Sequence, residues 1–156
     1  YIQEHLYILS GFYGALKPLD GIVPYRLEMQ AKAAVAGTKD LYGFWGDRLY
    51  RAVRGEDGVI VNLASKEYSR CVEKYLQPED RYVTCVFGEA AEGKVRQKAT
   101  LAKMARGEMV RYMAQTGARE PENLKEFDHL GYRFSEEHST PENYVFLKIN
   151  EEKERE

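Results

Sequence analysis

The sequence predicts an α/β domain of α+β character, in which a mixed sheet carries flanking helices and closes with a C-terminal β-hairpin. Three observations carry that prediction. Runs rich in β-branched and aromatic residues lie at 59–63 and 82–87, bounded by Gly58 and Gly88. Apolar residues recur at helical spacing over 39–54 and 102–115. Two short aromatic runs, 131–134 and 143–147, flank a polar stretch as the arms of a hairpin would.

Taken in order, the apolar run 6–9 stops at Ser10-Gly11 and reads as a short buried strand, with a helical turn as the alternative. Residues 15–29 hold Pro18, Gly21 and Pro24, and so form a loop. Fifteen residues is long for an idle connection, and ordered loops of that length commonly carry function. Thr38 is placed to cap one helix over 39–54, with Leu41, Phe44, Trp45, Leu49, Ala52 and Val53 as its apolar stripe and Gly55 as its stop. Trp45, within that stripe, reads as a core residue. After the strand at 59–63, a helix runs from Ser65 to about Tyr75. The strand 82–87 ends at Gly88, a further strand runs over 94–101, and a helix over 102–115 stops at Gly117. Projected at 100° per residue, Ala102, Ala105, Met109, Tyr112 and Met113 share one arc, Lys103 and Arg111 fall off it, and Arg106 sits at its edge. A short helix follows at 122–127. One domain over 1–150, with a charged tail at 151–156, is what the length predicts.

Composition excludes several classes. With 44% hydrophobic and 31% charged residues the chain has the makings of a folded core rather than a disordered segment. No run approaches the ~18 apolar residues of a membrane span. Cys71 and Cys85 are too few for a disulfide framework and lack metal-ligand spacing, so a reducing, cytoplasmic compartment is expected. His5, His129 and His138 are scattered, which leaves no readable metal site, and no phosphate-binding or dinucleotide glycine motif is present. Carboxylates offer no pair poised for acid–base work; Asp20 and Glu28 stand only by default.

The net charge of −2 hides a division. Residues 120–156 carry 11 acids and 5 bases, whereas 94–111 hold six bases against Glu108 alone. A local excess of that kind attracts anions even in a mildly acidic protein. Lys94, Arg96 and Lys98 alternate and so share one face of the strand assigned to them. Lys103, Arg106 and Arg111 come from the helix that follows. Together they read as a groove for nucleic-acid backbone or a phosphorylated ligand, or else as two solvated faces. Gly107 beside Arg106 costs the helix about 1 kcal/mol relative to alanine and suggests a close backbone approach. In the loop, Pro18 and Pro24 stiffen a segment that holds Lys17 and Arg26, either as a charged cleft wall or as structural residues, with Arg26 paired to Glu28 or Asp20. Asn62 and Ser65 stand where a strand hands over to a helix, a usual ligand border in α/β sheets, although Ser65 equally suits an N-cap.

Several ordered motifs together resemble the YaaA peroxide-stress proteins of bacteria. They are Leu9-Ser10-Gly11-Phe12-Tyr13-Gly14-Ala15-Leu16-Lys17-Pro18-Leu19-Asp20, Pro24-Tyr25-Arg26-Leu27-Glu28-Met29, and Lys39-Asp40-Leu41-Tyr42-Gly43-Phe44-Trp45-Gly46-Asp47. Asn62-Leu63-Ala64-Ser65-Lys66-Glu67-Tyr68, Lys103-Met104-Ala105-Arg106-Gly107 and Gly131-Tyr132-Arg133-Phe134-Ser135 continue the series over essentially the whole chain. The resemblance implies a partial YaaA-type fold, the C-terminal part of a longer protein whose N-terminal segment, with its helix-hairpin-helix element, is missing here. It further implies a cytoplasmic protein induced by hydrogen peroxide, which limits iron-driven damage and binds duplex DNA in a positively charged cleft. Carried over by position, the cleft residues are Lys17, Arg26, Asn62, Ser65, Lys103 and Arg106, with Lys94, Arg96 and Lys98 added from the stripe. No reaction and no cofactor are implied. An enzyme or binding protein for a nucleotide or other small anion in the same cleft is the competing expectation. Apolar residues 6–9, left open by the missing segment, favour self-association of the fragment.

Overall fold

The computed structural model describes residues 1–149; the charged tail expected at 151–156 lies outside the described residues. Contacts gather into two compact units, residues 1–60 with 64–82, and residues 61–63 with 83 onward.

The first unit opens with a single helical turn, α1 (Ile2–His5), and an antiparallel pair, β1 (Ile8–Ser10) and β2 (Gly14–Leu16), in the register Ile8↔Leu16. Ser10 builds the connecting turn by accepting from the Tyr13 amide at 2.9 Å and the Phe12 amide at 3.2 Å. Gly14 sits at φ +83°, and a Cβ there would fall 2.7 Å from the Trp45 ring. Trp45 thus packs on bare backbone, and its indole N–H donates to the Gly11 carbonyl at 3.0 Å. Expected in the core, Trp45 is instead partly buried and packs against the cluster of Met29, Leu41, Leu49 and Cys71.

Residues 39–54 form two short helices instead of one: α2 (Leu41–Trp45) and α3 (Arg48–Val53). The break is Gly46, at φ 53° and ψ −134°, which closes α2 with its amide on the Tyr42 carbonyl. The N-cap is Asp40 rather than Thr38; its carboxylate accepts from the Gly43 amide at 2.8 Å. Leu41 and Leu49, with Met29 from the loop and Cys71 from α4 (Lys66–Glu73), make one small core. A second is formed by Tyr50, Ile60 and Val72, with Ile60 on β3 (Val59–Asn62). Asp80, fully buried, ties this unit together: it accepts from the Tyr50 hydroxyl at 2.6 Å, the Arg54 Nε at 2.7 Å and the Gln77 amide at 2.8 Å.

The second unit carries most of a five-stranded sheet of order β3, β4 (Arg81–Ala91), β7 (Asn143–Lys148), β6 (Tyr132–Phe134), with β5 (Lys94–Arg96) paired to β4. β4 (Arg81–Ala91) is far longer than the expected 82–87 because Gly88 continues the strand. A Cβ at Gly88 would meet Val95 at 2.6 Å and the Arg96 carbonyl at 2.8 Å, so the missing side chain lets β5 (Lys94–Arg96) lie against it. β4 bonds antiparallel to β5 through Glu89↔Arg96. The expected strand over 94–101 is cut short because Lys98 is already the N-cap of α5 (Ala99–Thr116). The expected hairpin is present: β6 (Tyr132–Phe134) runs antiparallel to β7 (Asn143–Lys148), and β7 runs parallel to β4, from Thr84↔Asn143 to Gly88↔Leu147. The short helix near 122–127 is a 3₁₀ turn, Pro121–Glu126.

Strand alternation and helix periodicity meet in one core. Val83, Cys85 and Phe87 point inward from β4, and Ala102, Ala105, Met109 and Tyr112 from α5, with Met113 at the margin. These are the α5 residues that the projected arc selects. Phe127, Tyr132 and Phe146 complete an aromatic cluster around Phe87.

Candidate functional site

Cationic side chains expected at the site fall in both units, and each is described within its own. On α5, Lys103 is exposed, and Arg106, one turn further, is half-buried, as its position on the edge of the apolar arc requires. The Arg106 Nε is enclosed and makes no hydrogen bond, and burial pushes the guanidinium below its usual pKa. Among the described residues no acid lies within ion-pairing distance of Arg106 or Lys103. A desolvated guanidinium with an idle donor is a costly arrangement in isolation, because buried charge is normally paired. An incoming oxyanion would supply the missing acceptor. Gly107 does not mark a close approach: a Cβ there would meet nothing within 4 Å. Arg111 lies 4.0 Å from Glu108, whose other oxygen is 2.8 Å from His129 Nδ1.

The 94–98 stripe is only partly available. Arg96 pairs with Glu92 at 2.6 Å and Lys98 with Glu89 at 2.9 Å, while Lys94 is exposed and has no acid at ion-pairing distance among the described residues. Lys94 and Arg96 share a strand, but Lys98 belongs to the helix start, so the three do not form one strand face. Asn62 is buried and its amide donates to the Thr84 hydroxyl at 3.2 Å.

In the first unit, the Lys17 ammonium sits 3.7 Å over the Tyr7 ring and donates to the Glu4 carbonyl at 2.9 Å. It thereby satisfies a carbonyl that a helix end leaves without a partner. Arg26 is 92% exposed and lies 3.5 Å from Glu28, the pairing that its sequence neighbourhood allowed. Ser65 is the N-cap of α4 by position, yet its side chain makes no capping bond; its carbonyl instead accepts from the Ser69 and Tyr68 amides at 2.9 and 3.0 Å.

Sequence reasoning missed a cavity of about 590 Å³ in the first unit, bordered by Lys39, Tyr42, Arg70 and Lys74. Its signal was present: Lys66, Arg70 and Lys74 recur every four residues and so share a face of α4.

Both thiols are buried, and burial pushes Cys71 up to about 11 and Cys85 up to about 12. Neither forms the thiolate that reacts with peroxide near neutral pH. Folded protein at pH 7 is therefore expected to label with iodoacetamide far more slowly than unfolded protein, at both cysteines. Rapid labelling of the folded form would contradict this. Among the described residues no group of three His, Cys, Asp or Glu is placed to hold a metal ion, and no helix is long and apolar enough to cross a membrane.

A family model described as peroxide stress protein YaaA matches residues 1–138. Among similar curated proteins, a UPF0246 protein of Agathobacter rectalis is 56% identical over 146 residues, covering 94% of this chain and 59% of its own length. One from Lachnoclostridium phytofermentans is 58% identical over 148 residues, covering 95% and 58%. One from Desulfitobacterium hafniense is 53% identical over 153 residues, covering 98% and 61%. The chain thus spans about three fifths of the length of the curated relatives it matches.

Proposed function

The chain belongs to the YaaA peroxide-stress protein family, and from that premise we propose that it contributes a duplex-DNA-contacting surface to a cytoplasmic bacterial protein that limits iron-driven oxidative damage. The observation that carries the DNA reading is Arg106, a half-buried guanidinium with an idle Nε, beside the unpaired Lys103 on the same helix. Two uncompensated cations one helical turn apart suit successive phosphate oxygens. Lys94 extends the positive surface, whereas Arg96 and Lys98 must first release Glu92 and Glu89. The iron-limiting role rests on family membership alone.

Each cation that neutralises a phosphate releases condensed counterions, so log affinity falls linearly with log salt concentration. For the full-length protein, Arg106→Gln is expected to weaken duplex binding several-fold for all sequences and to make the salt slope shallower by about 0.9. Lys103→Gln should act in the same direction. An unchanged slope in both variants, measured by fluorescence anisotropy from low to moderate salt, would remove Arg106 and Lys103 from the interface. The competing reading, a small anionic ligand, draws its support from the cavity in the first unit.

A further inference from the structure

We infer that the cavity beside α2 and α4 is a binding site for a small phosphorylated molecule carrying a planar ring, of nucleoside monophosphate size. It deepens the small-anion reading and shares no lining residue with the DNA surface proposed on α5.

Size sets the first limit. About 590 Å³ falls within the range of cavities that enclose ordinary small ligands. It is a concavity for a molecule rather than a track for a strand.

Charge sets the second. Lys39, Lys66, Arg70 and Lys74 all border the cavity, against Asp40 and Glu73. Both acids are already engaged. Asp40 accepts from the Gly43 amide as the cap of α2. Glu73 takes Lys66 at 2.6 Å and the Ser69 hydroxyl at 2.9 Å, and these bonds outweigh its burial and hold its carboxyl below the usual range. That leaves Lys39, Arg70 and Lys74 with no acid at ion-pairing distance among the described residues. Like charges four residues apart on a helix repel one another, and with Lys66 taken up by Glu73 the pair left facing each other is Arg70 and Lys74. A phosphate dianion would relieve it, with Arg70 able to offer a two-pronged contact and the lysines acting as point charges.

Aromatic groups set the third. The Tyr42 and Tyr75 rings line the same cavity, with the Arg70 guanidinium 5.5 Å from the first and the Lys74 ammonium 5.6 Å from the second. The Tyr42 hydroxyl is fixed by donating to the Glu67 carbonyl at 2.8 Å, so this ring is a rigid wall. Each cation lies over its ring, so the lining holds cationic and aromatic groups together, the two kinds of contact a phosphate with an attached ring uses. Cys71, whose thiol stays protonated, adds a neutral patch of lining and no competing charge.

The test uses the full-length protein, with thermal shift and calorimetric titration of adenosine monophosphate, inorganic phosphate and adenosine. The monophosphate is expected to raise Tm and bind more tightly than phosphate, and adenosine is expected to give no shift. In a doubly substituted Arg70→Gln, Lys74→Gln protein the monophosphate affinity should fall at least tenfold. Both side chains are exposed, so the fold tolerates the change. The Arg106→Gln protein should retain full monophosphate binding. Absence of any shift with phosphate or monophosphate overturns the inference, as does equal affinity for the nucleotide and phosphate, which would leave the rings without a role. If the double substitution weakens duplex DNA binding and the monophosphate does not bind, the cavity belongs to the DNA surface and the inference also fails. Retained monophosphate binding alongside weakened DNA binding in Arg106→Gln supports it independently of the DNA reading.

Discussion

Replacing Phe87 with alanine is expected to destabilise the second unit by about 3–5 kcal/mol, the range for truncating a fully buried phenylalanine. Phe87 is 0% exposed and lies at the centre of an aromatic group: stacked on Phe146 at 5.0 Å between centroids, and edge-on to Tyr132 at 5.5 Å and Phe127 at 5.9 Å. Those partners come from β7, β6 and the segment after the 3₁₀ turn, so the deleted ring cannot be replaced by one shifting neighbour. Thermal unfolding followed by circular dichroism should show Tm lowered by roughly 10 °C. Phe87→Leu keeps most of the volume and should lose only about 1–2 kcal/mol. If alanine is tolerated as well as leucine, the cluster does not hold the unit together.

Asp80→Asn is expected to lower Tm by several degrees at neutral pH and to flatten the acid limb of the stability curve. Burial alone would raise the Asp80 carboxyl; hydrogen bonds from Tyr50 and Gln77 and the Arg54 guanidinium outweigh it and hold the group below its ordinary value of 3.8. A depressed folded-state pKa contributes stability that is fully present above the unfolded value, near 3.8, and is lost as pH falls through the folded one. Asparagine keeps an acceptor for Tyr50 but leaves Arg54, only 30% exposed, without its buried counter-charge. Tm recorded from pH 3 to 8 should therefore show the wild-type advantage shrinking below about pH 4. Curves that run parallel through the acid range would dismiss Asp80 as a source of that dependence.

Periodic features were legible in the sequence and conformational exceptions were not. The buried face of α5 followed from residue spacing alone, down to the half-buried edge position of Arg106, because side-chain direction on a helix is set by geometry. The split between α2 and α3 was hidden because Gly46 interrupts an unbroken apolar stripe by adopting a backbone conformation that the pattern does not encode. Gly88 misled in the opposite direction: read as a stop, it is instead the position where a neighbouring strand needs the space of a side chain. Among candidate site residues, helical spacing gave the exposed position of Lys103 and the edge position of Arg106, but the contacts of Lys17 with Tyr7 and the Glu4 carbonyl follow from no spacing rule. The cavity beside α4 needed Lys39 and Arg70 brought together across 31 residues of sequence, which only tertiary structure supplies.

The parallel pairing of β4 with β7 has a consequence for synthesis. Its partners, such as Cys85 and Tyr144, stand almost sixty positions apart, and among the described strands of its sheet the inserted one is made last. Local helices such as α5 are free to form early, but β4 and β6 cannot be joined until β7 has left the ribosome. Until then the stretch of β4 from Thr84 to Gly88 keeps an open edge where β7 will pair, and an unpaired edge of this kind invites association with other chains in the interval between the two strands' translation.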